Sequence, residues 1–249
     1  MEEEDYKRCE EWFDNYVEHY RGRADPKASR MVELKIKHTK RTVENAKAIC
    51  DGEGITGNRR LLALTATLLH DTGRFEQATK HRTFNDKDST DHAALGTTIL
   101  EEEGILAQFK PKEQDTIRQA VNHHNKKTIP PLDDEQDAIT KAVRDADKLD
   151  IMDLLANNRK ELHLEGGECT PTVVRKVMTG QLVSKEHVRT ACDHALLTLN
   201  WLDHLNYATS RRIAKERRYA QLLLDKLPES PEKNRVRHRL TPHLQDKTL

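Results

Sequence analysis

Between Leu61 and Leu69 the chain reads Leu-Leu-Ala-Leu-Thr-Ala-Thr-Leu-Leu, closes on His70-Asp71 and reaches Gly73 two residues later. A helix that is apolar on nearly every side belongs inside a domain. A carboxylate at the end of such a helix is costly to bury unless something pairs with it. Residues 58–71 are therefore expected to form a central helix that delivers a histidine and an aspartate into the interior.

Helical periodicity recurs along most of the chain, and strand alternation is absent. Helices are expected over residues 5–20, 27–50 (started by Pro26), 58–71, 89–103, 112–125 and 134–156, with the polar stretch 74–89 as a loop. Beyond Gly166-Gly167 and Pro171, helices are expected over 172–179, 184–206, 208–226 and 231–240. Aromatic residues make up 4% and charged residues 34% of the 249, a balance that suits an all-α protein with charged outer faces. This points to an N-terminal helix (1–27) packing on a helical core (28–160), followed by a helical extension (161–249).

No apolar run is long enough to span a bilayer, and the start Met-Glu-Glu-Glu-Asp is the reverse of a basic leader, so a cytoplasmic protein without a membrane partner is expected. Cys9, Cys50, Cys169 and Cys192 show no Cys-x-x-Cys pair, so neither a disulfide framework nor a thiolate zinc site is expected. Net charge is zero, but residues 1–20 hold eight acidic and two basic side chains, and 207–249 hold eleven basic and five acidic. Two solvated helical faces account for this; a basic patch that steers an anion is the sharper alternative. With no global field and no interleaved aromatics, nucleic acid is not an expected partner.

Of thirteen histidines, five stand on successive predicted helices together with two aspartates: His38, His70-Asp71, His92, the pair His123-His124, and Asp147. A helical bundle can point such residues at one place. Imidazole and carboxylate suit Fe or Mn, with Co, Ni or Zn as further options. The set exceeds what one ion requires, and Asp71 is its natural bridge between two. His19, His81, His163, His187, His194, His204, His238 and His243 read as ordinary core or surface residues.

The spacing of His38, His70-Asp71 and Asp147 resembles the H…HD…D signature of the HD-domain superfamily of metal-dependent phosphohydrolases. The local words Leu68-Leu69-His70-Asp71-Thr72-Gly73-Arg74 and Asp145-Ala146-Asp147-Lys148-Leu149-Asp150 share in the resemblance, which covers roughly residues 28–157. It implies that His38, His70, Asp71 and Asp147 hold a first ion and that Asp71 bridges to a second held by His92, His123 and His124, as in the dinuclear branch. Asn125 to Pro131 lacks the Gly-Tyr-Pro signature of cyclic di-GMP-degrading members, which argues against that substrate.

The reaction so implied is attack of a metal-activated hydroxide on a small phosphorylated substrate, a nucleotide or cyclic nucleotide. Besides Asp71, Arg74 and then Lys148 are the expected catalytic cations, with Lys80, Arg82, Lys126 and Lys127 behind them. Asp91, Asp145 and Asp150 are candidates to orient ligand histidines; Phe75 and Phe84 to stack a base. The competing readings are an HD-type di-iron oxygenase, which the His123-His124 pair disfavours, and a nucleotide-binding module without turnover. The substrate, the metal and any association of the chain with copies of itself stay open.

Overall fold

The computed structural model describes residues 1–21, 25–157 and 167–244, and among these it contains helices and no strand. The order is α1 (Glu3–Arg21), α2 (Pro26–Glu53), α3 (Gly57–Leu69), α4 (Gly73–Glu76), α5 (His92–Glu102), α6 (Pro111–His123), α7 (Asp134–Ala156), α8 (Pro171–Met178), α9 (Ala191–Asn200), α10 (Ala208–Glu216), α11 (Tyr219–Asp225) and α12 (Pro231–Arg239). The chain divides into two units, Met1–Asp147 and Lys148–Leu249. The expected boundary at 160/161 lies outside the described residues, as does His163. Among the described residues no helix is long and apolar enough to cross a membrane.

In the first unit α3 is the central element the sequence called for: every residue from Leu61 to Arg74 is buried. Helix α2 packs along it, started by Pro26 and by Asp25, whose carboxylate accepts from the backbone amides of Lys27 (2.9 Å) and Ala28 (3.1 Å). From α2, Asn45 donates to the carbonyl of Ala146 (3.2 Å) and ties α7 alongside. Helix α1 covers the turn after α3, where Phe13, Tyr16 and Tyr20 place their rings 5.8, 5.9 and 6.0 Å from Phe75. Full burial of a phenylalanine contributes about 2–3 kcal/mol, and here it fixes the residue four beyond Asp71. Phe75 is thus packing and offers no free face to a base.

Where a loop was expected over 74–89, the chain stays helical through α4 and widens into a π-helix, Gln77–His81. Its buried anchor is Gln77, whose amide nitrogen donates to Asp86 Oδ1 (2.9 Å), Ser89 Oγ (2.7 Å) and the carbonyl of Thr90 (3.0 Å). A π turn does not repeat every 3.6 residues, so the apolar period is lost in a segment that is helical all the same.

In the second unit two expected helices are shorter than their pattern. The one predicted over 184–206 begins at Ala191, because Thr190 and Asp193 form a reciprocal capping box there, and Lys185–His187 is a 3₁₀ turn. The one predicted over 208–226 breaks into α10 and α11 at Arg218, which takes φ +58°. Cys169 and Cys192 are joined as a disulfide, with Cα atoms 5.0 Å apart, where no disulfide framework was expected. Nothing in their separation of 23 residues distinguishes them from Cys9 and Cys50, which are free and buried.

Candidate metal centre

The turn from α3 into α4 determines what stands beside His70 and Asp71. A Cβ on Gly73 would lie 2.2 Å from the carbonyl oxygen of His92 and 2.7 Å from the amide nitrogen of Gly96. Glycine therefore lets the α4 backbone lie directly on α5, which brings His92 up to Asp71. Helix α6 ends at His123, and the Arg144 guanidinium from α7 donates to the carbonyls of His123 (2.7 Å) and His124 (3.0 Å). Asp91 caps α5 through the amide of Ala93 (3.0 Å) and accepts from Asn125 (2.8 Å) and Lys126, which joins the start of α5 to the end of α6. These contacts hold its carboxyl down to about 2 against the opposing effect of burial.

Asp71 lies at the centre of the resulting cluster. Its Oδ2 is 3.3 Å from His38 Nε2 and 3.4 Å from His70 Nε2. Its Oδ1 is 3.5 Å from His92 Nε2 and 3.8 Å from His124 Nε2. Asp147 Oδ1 lies 3.1 Å from His38 Nε2 and 3.9 Å from His70 Nε2. Donor atoms about 2.1 Å from a common ion lie about 3–3.5 Å from each other, so these spacings suit ligation. His38, His70 and Asp71 form one candidate ligand group, Asp71, His92 and His124 another, and His70, His124 and Asp147 a third that overlaps both.

The imidazoles are oriented for ligation. His70 Nδ1 lies 2.6 Å from the carbonyl of Thr67, and His124 Nδ1 2.7 Å from that of Val121. A carbonyl only accepts, so each Nδ1 carries the proton and each Nε2 presents a lone pair to the cluster. His92 Nδ1 is held at 2.9 Å by both oxygens of Asp86. His92 Nε2 and His124 Nε2 then face each other at 3.0 Å. Two lone pairs at that distance repel unless a cation lies between them. His70 Nε2 is likewise buried with no hydrogen-bond partner, so the donor set fits divalent cations.

The protonation states agree with this. Burial, joined by the charges of His92 and His70, pushes the His124 pKa well below the ordinary histidine value. Burial also lowers that of His92, which Asp86 offsets only in part. Burial alone would raise the two central carboxyls, but the Lys35 ammonium holds Asp71 well below the usual carboxylate range, and His38 holds Asp147 below it.

Two expectations need correction, those for His123 and Lys148. His123 does not join the cluster: its Nε2 lies 3.0 Å from Gln119 Oε1 on its own helix, because adjacent helical residues point about 100° apart. Arg74 sits beside Asp71, with Nε 3.6 Å from Oδ1, but its Nη1 donates to Gln77 Oε1 (2.6 Å), the carbonyl of Phe84 (2.7 Å) and Asp86 Oδ1 (3.0 Å). Lys148 falls in the second unit, where its ammonium donates to the carbonyl of His204 (3.3 Å). Among the weaker candidates, Lys80 pairs with Glu76 (2.8 Å), Arg82 with Asp25 (2.8 Å) and Lys126 with Asp91. Asp145 and Asp150 are buried on α7.

Two residues of the site were not singled out by the sequence. Asp86 lies in the polar 74–89 stretch, six residues before the histidine it supports. Lys35 places its ammonium 2.5 Å from Asp71 Oδ2, and its position one turn before His38 on α2 was the available clue.

Residues 36–152 match the family model of the HD domain. No curated protein and no solved structure matched the chain.

Proposed function

We propose, from the premise that residues 36–152 belong to the HD-domain family of metal-dependent hydrolases, that this chain is a phosphohydrolase built on a dinuclear centre bridged by Asp71. The observation that carries the reading is the division of Asp71: one oxygen faces His38 and His70, the other His92 and His124. His38, His70, Asp71 and Asp147 would hold one cation; Asp71, His92 and His124 would hold the other. Iron or manganese fits this nitrogen and oxygen set best, with cobalt, nickel or zinc as alternatives. When bound, the cations supply Lewis acidity and a water made nucleophilic at neutral pH.

The protein's own groups define the rest of the chemistry. His92 and His124 stay neutral and so remain able to ligate. Asp86 fixes the ring of His92. Arg74 turns a buried Nε–H that has no hydrogen-bond partner towards the oxygens around Asp71, a donor suited to a phosphoryl oxygen. The substrate this suits is a small phosphate ester, a nucleotide or cyclic nucleotide.

The test is a screen of manganese- or iron-loaded protein against nucleoside mono-, di- and triphosphates and cyclic dinucleotides, with metal analysis. Asp71→Ala should lose metal and turnover together; full turnover in that variant would overturn the reading. One observation favours a second reading. With His123 turned away, the second cation has fewer protein ligands than the sequence implied, which leaves room for dioxygen in an HD-type di-iron oxygenase. Hydrolysis of a phosphate ester under strict anaerobiosis decides for the phosphohydrolase.

A further inference from the structure

Lys35 lies one helical turn before His38 on α2, and its side chain is 13% exposed. Its ammonium is 2.5 Å from Asp71 Oδ2 and 5.4 Å from the centre of the Phe84 ring. Arg74 mirrors it: Nε is 3.6 Å from Asp71 Oδ1, and the guanidinium carbon is 5.6 Å from the same ring. Two cations thus address opposite oxygens of one carboxylate beside one aromatic ring.

The two are not equivalent. Arg74 is moored by Gln77, Phe84 and Asp86. Lys35 has Asp71 as its one ion-pair partner among the described residues. Its ammonium is a compact charge on a flexible four-carbon stem, whereas the guanidinium is a rigid fork. Moreover, the oxygen that Lys35 contacts is the one that faces His38 and His70. An ammonium and a divalent cation on one buried oxygen repel strongly, because a low dielectric magnifies like-charge repulsion.

We infer that Lys35 is an exchangeable anion-binding residue, paired with Asp71 in the metal-free protein and turned to the substrate's phosphoryl oxygens once a cation takes Asp71 Oδ2. This rests on the phosphohydrolase reading. The charges are consistent with it. The carboxylates of Asp71, Asp86 and Asp147 are balanced in part by Lys35 and Arg74. Two divalent cations make the site strongly positive, and a phosphate group is the natural counter-charge. Lys35 then reaches a phosphoryl oxygen from the side of the first cation, opposite Arg74. The ring of Phe84 faces both cationic groups.

The test is calorimetric, on full-length protein stripped of metal: Mn²⁺ is titrated first, then inorganic phosphate into the Mn²⁺-saturated protein. Lys35→Met should bind Mn²⁺ more tightly, since no ammonium competes for Asp71, and phosphate about tenfold or more weakly, since a charge-assisted contact is gone. Lys35→Arg should retain phosphate binding. Lys35→Gln should show the same split as the methionine variant and serves if the latter does not fold. Wild-type affinity for both ions in a folded Lys35→Met or Lys35→Gln variant overturns the role of Lys35 and leaves the phosphohydrolase reading intact. Failure of the wild type to bind Mn²⁺ overturns that reading, and the inference with it.

Discussion

His92 Nε2 and His124 Nε2 face each other at 3.0 Å, although each ring has committed its Nδ1 proton elsewhere, His92 to Asp86 and His124 to the carbonyl of Val121. Such an arrangement persists in a folded protein when a cation satisfies both lone pairs. His124 and its neighbour His123 should therefore behave differently despite their adjacency. His124→Ala should reduce bound metal from two equivalents to one. His123→Ala, which removes only a contact to Gln119, should keep both. Metal analysis of the two purified variants checks this, and the reverse pattern would return His123 to the ligand set.

Asp86 holds the Nδ1 side of His92 with both oxygens at 2.9 Å, while the ring's Nε2 faces Asp71. Loss of a carboxylate that orients a ligating histidine typically weakens metal binding by about 10–100-fold. Asp86→Ala should show that loss at the second cation and spare the first. Asp86→Asn, which can still accept from Nδ1, should lie between. Competition with a chromogenic chelator measures both affinities, and equal weakening at the two positions would argue for a general loss of structure.

The sequence made the all-α fold, the buried α3 helix and six of the clustered side chains legible, because each depends on a local pattern: apolar periodicity, a histidine on each successive helix, a carboxylate at the end of an apolar run. Asp86, Lys35 and the fate of His123 were not legible, since they depend on which way side chains turn after the helices pack. Asp86 lies within a polar stretch where a π turn hides the periodicity. His123 and His124 are equivalent as letters, and only the roll of α6, held by Arg144 on the carbonyls of both, decides which one turns inward. The Cys169–Cys192 pairing was hidden for a related reason, since sequence separation carries no information about proximity in space.

Gly73 should be among the least replaceable residues outside the cluster. A methyl group there would meet the carbonyl oxygen of His92 at 2.2 Å, and backbone does not yield as a flexible side chain does. Gly73→Ala should cost about 2–4 kcal/mol, in the range of strain and overpacking, and should displace His92. Gly54→Ala is the control. It sits at φ +66° with open space around it, so its cost of about 1 kcal/mol is conformational and local. Urea unfolding with and without Mn²⁺ separates the two: only the Gly73 variant should also lose stabilisation by metal.

The pH dependence of stability follows from the neutral histidines. In the folded, metal-free protein His92 and His124 resist protonation, chiefly because they are buried, whereas in the unfolded chain they titrate near the ordinary value of 6.5. The unfolded state therefore binds more protons as pH falls. The stabilisation is fully present above pH 6.5 and is lost progressively below it, down to the lowered folded-state values. Each histidine contributes a slope of up to about 1.4 kcal/mol per pH unit in that window. Asp71 and Asp147, held below the ordinary 3.8, add a second loss only as pH drops beneath that value. Urea unfolding of metal-free protein at half-unit steps from pH 7.5 to 5 should show the first decline, and His124→Leu, which cannot protonate, should remove about half of it. Saturating Mn²⁺ at 100 times its Kd should add about 2.7 kcal/mol at neutral pH and progressively less in acid, as protons compete for the same nitrogen lone pairs. A metal-free profile that is flat between pH 7.5 and 5 would mean that His92 and His124 take up protons as readily in the folded protein as in the unfolded chain, and their facing nitrogens would then need no cation between them.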